Sequence, residues 1–262
     1  RGFGNDEFVQ IGHMIGENSF DGIENGICAR ASGVRGQALE LNGEGYVDID
    51  SSIIDSLTNY EEITISLWFR INSNNEFAEI KPLFYIGSGE EGDNSSYVQI
   101  ELGHFNSNNR HLYFTVMSGR SEGSNWHTIP LCFRTVSNLE IGETYHFAVT
   151  VSPEGNSGYL NGELLETGTT RKNLFGDSNS NEFINSLYQV PQVCWIGLGY
   201  LAHWTGEHYL DGMIDEVKIW NYSLTSEEIQ QNYLDDINAA MIEITSLVGN
   251  VGQVNISGIS EG

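Results

Sequence analysis

The sequence predicts an all-β fold, a sandwich of two antiparallel sheets with one short helix near its C-terminal end. Short apolar runs alternate along the chain with breaks rich in Gly, Asn and Ser, such as 87–96 and 119–125. Only four prolines occur, and 30 glycines supply the tight turns. Many short strands without helical partners favour a sandwich over a parallel α/β sheet.

Four runs show the period-two alternation of strands that bury one face. In Ile63–Ile71 and Tyr145–Val151 the odd-numbered positions are apolar and are predicted to face the core. In Tyr97–Leu102 and His111–Met117 the even-numbered positions are predicted to do so. The opposite faces then carry side chains that could line a groove, namely Trp68, Arg70, Tyr97 and Tyr113. For Trp68 the alternative is burial beneath a second layer of structure.

Two local signals mark a hairpin and a helix. Asn161-Gly162 has the sequence of a type I′ turn, which requires positive φ at both of its central residues. Thr225–Glu228 has the pattern of a capping box, and Leu224 and Ile229 occupy the positions of a hydrophobic staple. We therefore predict a short helix at about residues 226–234.

We divide the chain into one domain over residues 1–236 and a shorter piece over residues 237–262. The composition changes after Asp236, and Met241–Leu247 and Val251–Ile256 both resemble strands. The second piece is predicted to be a pair of extra edge strands, or the start of a linker or of a following domain.

Composition and charge exclude several functional classes. The 262 residues include 11 Lys and Arg against 36 Asp and Glu, and this net charge of −25 repels nucleic acids and anionic membrane surfaces. No apolar stretch approaches the roughly 20 residues of a membrane-spanning helix. Cys28, Cys132 and Cys194 are too few and too widely spaced for a disulfide framework or a zinc site. The acidic side chains suit a calcium-rich setting or, alternatively, a surface selected for solubility.

Five segments carry a resemblance to a known family. They are Gly36–Ile49, Ile63–Phe69, Tyr145–Thr150, Tyr159–Leu164 and Gly212–Ile229, and they occur in the family's order. Together they resemble the laminin-G-like, concanavalin-A-like jelly rolls over roughly residues 10–236. The resemblance implies a jelly-roll sandwich. It implies little about function, because this fold hosts lectins, adhesion modules, glycosidases and spacers.

Asp215 presents a charge problem within the last of these segments. The other odd positions of Met213–Ile219 are apolar, so the carboxylate is predicted to share a buried face and to need a cation or several N–H donors. The resemblance implies a structural Ca²⁺ held by Asp215, Asp21 and the Gly45 carbonyl, with Asn18 assisting. The alternative is an Asp bonded to backbone N–H groups without a metal.

A catalytic interpretation finds little support in the sequence. Glycosidases need two carboxylates at a defined separation. The nearest alternating pair, Asp48 and Asp50, stands at a strand end, and Gln99 with Glu101 supplies only one carboxylate. No catalytic residue is therefore assigned. A glycoside hydrolase or polysaccharide lyase acting in a groove stays open as an alternative.

Two polar loops carry aromatic residues suited to stacking on sugar rings. They are residues 121–128 and 200–209, and from them we predict ligand binding by Trp126, His127, Tyr200, His203, Trp204 and His208. The alternative is that Trp126 and Trp204 cap the ends of the sandwich as part of its core.

These features predict a non-catalytic carbohydrate-binding or adhesion module of a larger secreted or cell-surface protein. Its partner would be a polysaccharide or other glycan, and calcium would be structural. Nucleic-acid binding and membrane insertion are not expected. Beside the enzyme, the remaining alternative is a structural spacer that contacts other proteins.

Overall fold

A computed structural model describes residues 9–11, 20–57, 60–72, 80–90, 97–104, 107–117, 131–135, 137–152, 155–165, 191–200 and 206–248. These residues form mostly strands, with two helices. In chain order the strands are β1 Val9–Ile11, β2 Phe20–Asn25, β3 Cys28–Ser32, β4 Gln37–Asn42, β5 Tyr46–Ile49, β6 Ile63–Ile71, β7 Lys81–Gly87, β8 Tyr97–His104, β9 Ser107–Met117, β10 Leu131–Arg134, β11 Thr144–Ser152, β12 Gly155–Leu160, β13 Glu163–Leu164, β14 Val193–Ile196, β15 Leu198–Gly199, β16 His208–Tyr209 and β17 Asp211–Trp220. The helices are α1 Ser52–Leu57 and α2 Ser226–Val248.

Two large antiparallel sheets build the predicted sandwich. The eight-stranded sheet has the order β1-β2-β5-β14-β7-β8-β9-β10, and the seven-stranded sheet has the order β13-β12-β11-β6-β17-β4-β3. A separate two-stranded ribbon joins β15 to β16. Strands that are neighbours in a sheet are often far apart in the chain, as expected of a jelly roll in which the chain crosses between sheets.

The inner faces of the two sheets enclose one apolar core, and the predicted alternation is confirmed. The seven-stranded sheet contributes the odd positions of β6 and β11, and the eight-stranded sheet contributes the even positions of β8 and β9. Representative side chains, each at most 1% exposed, are Ile65, Leu67, Phe69, Phe147, Val149, Val98, Ile100 and Phe114. Burial of these side chains is the main source of the domain's stability.

Both local signals are confirmed. Asn161 and Gly162 have φ angles of 52° and 80°, as the type I′ turn between β12 and β13 requires. At the start of α2 the Glu228 N–H donates to Thr225 Oγ1 at 3.2 Å, and the Thr225 N–H donates to Glu228 Oε2 at 2.8 Å. This reciprocal pair is the capping box, and it satisfies two of the backbone donors that a helix N-terminus leaves open.

Helix α2 is longer than predicted, and the strand assignment of Met241–Leu247 is wrong. The helix extends over 23 residues to Val248. Ile237, Met241, Ile244 and Val248 recur at helical spacing, a period that the strand interpretation overlooked. Residues 251–256 lie outside the described ranges, and the division of the chain at residue 237 stays a prediction. Neither α1 nor α2, the helices of those ranges, is long and apolar enough to cross a membrane.

A β-bulge in β17 corrects the predicted face of Asp215. The register of β17 against β6 shifts just after Asp215, where Glu216 has a φ of 46°. The extra residue reverses the alternation of faces. Ile214 faces the core before the bulge and Val217 faces it afterwards. Asp215 therefore does not share a face with Val217, and it lies on the outer face of the sheet opposite Trp68.

Helix α2 covers the outer face of the seven-stranded sheet, so Trp68 lines no groove and the alternative of a second layer is correct. The Trp68 ring stacks on Tyr233, with centroids 5.4 Å apart and planes at 18°. Its indole N–H donates to Asp236 Oδ2 at 2.9 Å, and Lys218 Nζ donates to both oxygens of that carboxylate at 2.6 and 2.8 Å. His146 lies beside Trp68 and Tyr233, and burial lowers its pKa to about 4.

Candidate functional site

The candidate site lies on the outer face of the eight-stranded sheet. Cross-strand pairing aligns one row of residues over β2, β5, β14, β7, β8 and β9, namely Ile23, Asp48, Trp195, Tyr85, Gln99 and Thr115. Neighbouring strands are about 4.8 Å apart, so the row spans about 24 Å. Ile23 is 60% exposed, whereas Gln99 is fully buried. The face is therefore open on the side of β2 and covered on the side of β8.

Four stacked or edge-on rings form an aromatic floor on this face, defined as Tyr85, Tyr97, Trp195 and Tyr200. Tyr85 and Trp195 stack with centroids 5.3 Å apart and planes at 18°. Tyr97 lies 5.6 Å from Tyr85, and Tyr200 meets Trp195 at 5.7 Å and 67°. Each such pair contributes roughly 0.5–1.5 kcal/mol beyond burial, and mutual packing holds the rings in place.

The β15-β16 ribbon covers the middle of the face, and Gly199 permits its close approach. A Cβ at position 199 would lie 2.1 Å from Gln99 Oε1 and 3.0 Å from the Pro82 side chain. Only glycine fits there without displacing its neighbours. The Tyr200 carbonyl accepts a hydrogen bond from Gln99 Nε2 at 3.4 Å, which ties the ribbon to β8.

Glu101 lies beneath this cover as an enclosed carboxyl group. The Gln99 amide donates to one of its oxygens, and the Thr115 hydroxyl donates to the other at 3.3 Å. Burial raises the pKa of Glu101 to about 7, and the two hydrogen bonds offset only part of that effect. At 2% exposure the carboxyl group does not reach solvent, so we assign it no contact with a ligand.

The open part of the face forms an aromatic rim, defined as Tyr46, Asp48, Glu207 and Tyr209. The Tyr46 ring lies 6.3 Å from that of Tyr209, with planes at 57°, and 6.0 Å from the floor residue Trp195. Glu207 is exposed, and the other three are half-buried. The Trp195 indole donates to Asp48, and the Tyr209 hydroxyl donates to Glu207. The rim thus presents two phenol rings, with Asp48 two residues from Tyr46 on β5 and Glu207 bonded to the Tyr209 hydroxyl.

Carboxylates dominate the electrostatics of the rim. Burial raises the pKa of the Tyr46 hydroxyl, and Asp48 and Glu207 raise it further. The hydrogen bond to Glu207 is the main reason why the pKa of Tyr209 is also raised. Both phenols therefore stay protonated at physiological pH. The Tyr209 proton is already donated to Glu207, whereas the Tyr46 hydroxyl retains a proton for a ligand. Burial raises the pKa of Asp48 as well, against the lowering effect of the Trp195 indole.

Asp215 meets backbone donors instead of the predicted calcium ligands. Its Oδ2 accepts the N–H groups of Val34 and Arg35 at 2.6 and 3.2 Å, and its Oδ1 accepts the N–H of Glu216 at 2.9 Å. Burial raises the pKa of the carboxyl, and these donors lower it. Three N–H groups directed at one carboxylate already supply the positive partners that it needs, so this arrangement does not fit a cation ligand.

The other predicted calcium ligands are not brought to Asp215. Asn42, at the end of β4, pairs with Asp211, which is four residues or about 13 Å along β17 from Asp215. Gly45 lies beyond Asn42 and is therefore still farther from Asp215 along the strand direction. Asp21 lies on β2 in the opposite sheet, and Asn18 is outside the described ranges. Within those ranges no three His, Cys, Asp or Glu residues form a group that could hold a metal. Calcium stays a prediction, with Asp215 better explained by its backbone partners.

Comparison with known proteins identifies the family. The Laminin_G_3 family model, described as the concanavalin A-like lectin/glucanases superfamily, matches residues 41–230. That range is more than half of the chain. The chain belongs to this superfamily. The resemblance of the five segments is thereby confirmed, while no curated protein matches the sequence.

Solved structures similar to this concanavalin A-like domain include modules with bound sugars. The CBM40 of Ruminococcus gnavus IT-sialidase, bound to α2,3 sialyllactose, is 15% identical, with a TM-score of 0.56 and coverage of 75% of this chain and 96% of that one. Domain 4 of AbnA, a GH43 extracellular arabinanase of Geobacillus stearothermophilus, in complex with arabinotriose, is 20% identical, with a TM-score of 0.51 and coverage of 80% and 87%. The binding domain of botulinum neurotoxin serotype D/C is 14% identical, with a TM-score of 0.55 and coverage of 88% and 52%. At these identities the likeness establishes the fold.

The structure describes two of the six ligand residues predicted for this concanavalin A-like domain. Tyr200 belongs to the aromatic floor and is 6% exposed. His208 is half-buried at the start of β16, next to the rim residue Tyr209. The other four lie outside the described ranges, and their roles stay predictions: Trp126, His127, His203 and Trp204.

Two carboxyl groups on the outer face of this concanavalin A-like domain are too far apart for glycosidase chemistry. Asp48 and Glu101 are separated by three strand spacings and two residues, which corresponds to about 16 Å. Catalytic carboxyl pairs of glycosidases are roughly 5–9.5 Å apart. Asp50, the other member of the pair noted in the sequence, accepts the Ser52 N–H at 2.8 Å and caps α1.

Sequence reasoning missed most of the rim. Tyr46 and Asp48 alternate with the core residues Val47 and Ile49, and this period-two signal was sufficient to place them on an outer face. Trp195 alternates with core residues in the same way. What no local pattern shows is that β5 and β14, distant in the chain, are adjacent strands.

Proposed function

We propose that the chain is a non-catalytic carbohydrate-binding module and that the aromatic rim is its ligand site. The observation that carries this proposal is the pair of half-buried rings Tyr46 and Tyr209, supported by the aromatic floor and flanked by Asp48 and Glu207. Sugar rings place their C–H faces on aromatic rings, and their hydroxyls donate hydrogen bonds to carboxylates.

The arrangement suits a sugar because its groups are fixed before binding. The stack of Tyr85 on Trp195 supports Tyr46 from below, and Glu207 holds the Tyr209 hydroxyl. Asp48 receives one hydrogen bond from Trp195, and a carboxylate has about four acceptor sites, so acceptor capacity remains for ligand hydroxyls. Prior ordering of this kind lowers the entropic cost of binding.

The setting of the module is part of the same proposal. We place it in a secreted or cell-surface protein of several domains, with a glycan as its partner. The support is the likeness to domain 4 of an extracellular arabinanase in complex with arabinotriose and to a CBM40 bound to sialyllactose. An acidic chain of net charge −25 also makes nucleic acids unfavourable partners.

Titration calorimetry against a panel of soluble glycans tests the proposal, with Tyr46→Ala as the site variant and Tyr222→Ala as its matched control. Tyr222 is 37% exposed and lies outside the rim. Loss of a stacking ring should weaken binding about tenfold or more in Tyr46→Ala. Tyr222→Ala should bind like the wild type, and both variants should retain the wild-type circular dichroism spectrum.

Three results would contradict the proposal in different ways. If Tyr46→Ala binds as tightly as Tyr222→Ala, the rim is not the site. If the wild type binds no glycan on the panel, the chain is not a carbohydrate-binding module. Release of reducing ends or unsaturated products from a bound glycan would make it an enzyme.

A further inference from the structure

Resting on the proposed function, we infer that the aromatic rim selects uncharged glycans and rejects glycans that carry carboxylate or sulfate groups. Tyr46 and Asp48 lie two residues apart on the same face of β5, and the Tyr46 ring lies 6.3 Å from that of Tyr209, whose hydroxyl donates to Glu207. Both carboxylates act electrostatically on the Tyr46 hydroxyl. A sugar stacked on Tyr46 would occupy the same field. The charge of the ligand therefore decides whether the site accepts it.

No compensating cation acts at the rim within the described part of the chain. The charged groups that act on Tyr46, Asp48 and Tyr209 are Asp48, Asp50 and Glu207, without any lysine or arginine among them. Arg30 on β3 is the described arginine that lies near β5, since it acts on Cys28, whose thiol contacts the Tyr46 carbonyl. Its guanidinium forms an ion pair with Glu24, which offsets its charge.

Acidic and neutral sugars place opposite demands on these carboxylates. A carboxylate or sulfate ligand is normally bound by Arg or Lys, with charge-assisted hydrogen bonds. At the rim it would meet two like charges, each of which weakens binding on the order of tenfold for a separation of about 6 Å and an effective dielectric constant of about 40. Neutral hydroxyls instead donate to the carboxylates and gain from their charge. The net charge of −25 adds a longer-range repulsion against polyanions at low salt.

The apolar neighbour of the rim also fits an uncharged ligand. Ile23 pairs with Asp48 across β2 and β5 and is 60% exposed, and Asn25 pairs with Tyr46 in the same way. The open side of the face thus continues from the phenol rings to an apolar side chain without a basic residue at either pair. A neutral oligosaccharide can cover this strip with C–H faces, whereas an acidic one would leave its charge unpaired.

Binding of matched neutral and acidic probes tests the inference. We would use arabinotriose and arabinan as neutral probes, with sialyllactose and polygalacturonate as acidic ones, at about pH 8, where histidines are uncharged. The wild type should bind a neutral probe at least about 100-fold more tightly than the acidic ones, and its affinity for the neutral probe should change little with salt. The double variant Asp48→Asn, Glu207→Gln should lose most of this discrimination, and Tyr46→Ala should lose the neutral ligand.

The outcomes separate this inference from the proposed function. Acidic-glycan binding that is lost in Tyr46→Ala would overturn the inference and leave the carbohydrate-binding function intact. Polygalacturonate binding that requires added Ca²⁺ and disappears in EDTA would also overturn it, because calcium would then bridge two sets of carboxylates. Absence of binding to every probe would instead contradict the proposed function.

Discussion

Replacement of Glu101 with Gln removes a buried ionisable group and leaves its shape and hydrogen-bond acceptor in place. The Gln99 amide and the Thr115 hydroxyl both donate to the Glu101 side chain, and a Gln carbonyl at that position can accept from either of them. The side chain is 2% exposed, so the substitution changes little at the surface. The expected effect is therefore electrostatic, and it should depend on pH.

The magnitude and sign follow from the pKa of Glu101. Burial raises this pKa from 4.5 to about 7. The pKa of Glu101 is higher in the folded than in the unfolded protein. The wild type is therefore most stable with respect to this group below about pH 4.5, and it has lost that stability once pH has risen through about 7. The difference corresponds to about 3 kcal/mol. Glu101→Gln should therefore exceed the wild type in unfolding free energy by about 3 kcal/mol at pH 8 and by nearly nothing at pH 4.

Urea denaturation at about pH 4, 6 and 8 measures this difference. Comparison of variant and wild type at each pH cancels the titration of the other acidic groups, since both proteins carry them. Glu163→Gln, at an exposed position of β13, controls for removal of one negative charge. A difference that is the same at all three pH values, or a variant less stable than the wild type at pH 8, would refute the reasoning.

Three further substitutions test other parts of the structure. The unfolding free energy of His146→Phe should rise by about 3 kcal/mol relative to the wild type as pH falls from above 6.5 to below 4. The reason is that burial lowers the pKa of His146 to about 4, so the wild type loses stability over this pH range. Urea titrations above pH 6.5 and below pH 4 measure the difference, and a difference that does not change with pH would disprove the prediction. Asp215→Ala should lower the unfolding free energy by about 3 kcal/mol in EDTA and in excess Ca²⁺ alike, because the three partners of Asp215 are backbone N–H groups. Thermal unfolding measures this, and destabilisation seen only with Ca²⁺ would make Asp215 a calcium ligand. Gly199→Ala should lower the unfolding free energy by about 1–3 kcal/mol, because the added Cβ would press on Gln99 Oε1. An unchanged melting temperature would mean that the β15-β16 ribbon does not pack on Gln99.

The candidate site was only partly predictable. The loop 200–209 supplies Tyr209 and Glu207 to the rim, and the prediction of a ligand site in that loop pointed to this part of the molecule. It singled out Tyr200, which is buried in the aromatic floor. The sequence assigns no ligand-binding role to Tyr46 or Asp48, because their importance depends on Trp195 beside them.

The sequence by itself determined the features that depend on neighbours within a few residues. Alternation placed β6 and β11 with the correct face inward, Asn161-Gly162 specified the hairpin turn, and Thr225 with Glu228 specified the start of α2. These signals are local because strand pleat, turn dihedrals and helix caps involve adjacent backbone groups.

Only the tertiary structure decided the features that depend on which distant segments meet. The bulge after Asp215 reversed the alternation of β17 and sent that carboxylate to the Val34–Arg35 turn, some 180 residues away in the chain. The pairing of β14 with β5 put Trp195 beneath Tyr46 and so created the rim. Strand order and bulge position are set by packing of the whole core, and a period of two residues carries no information about either.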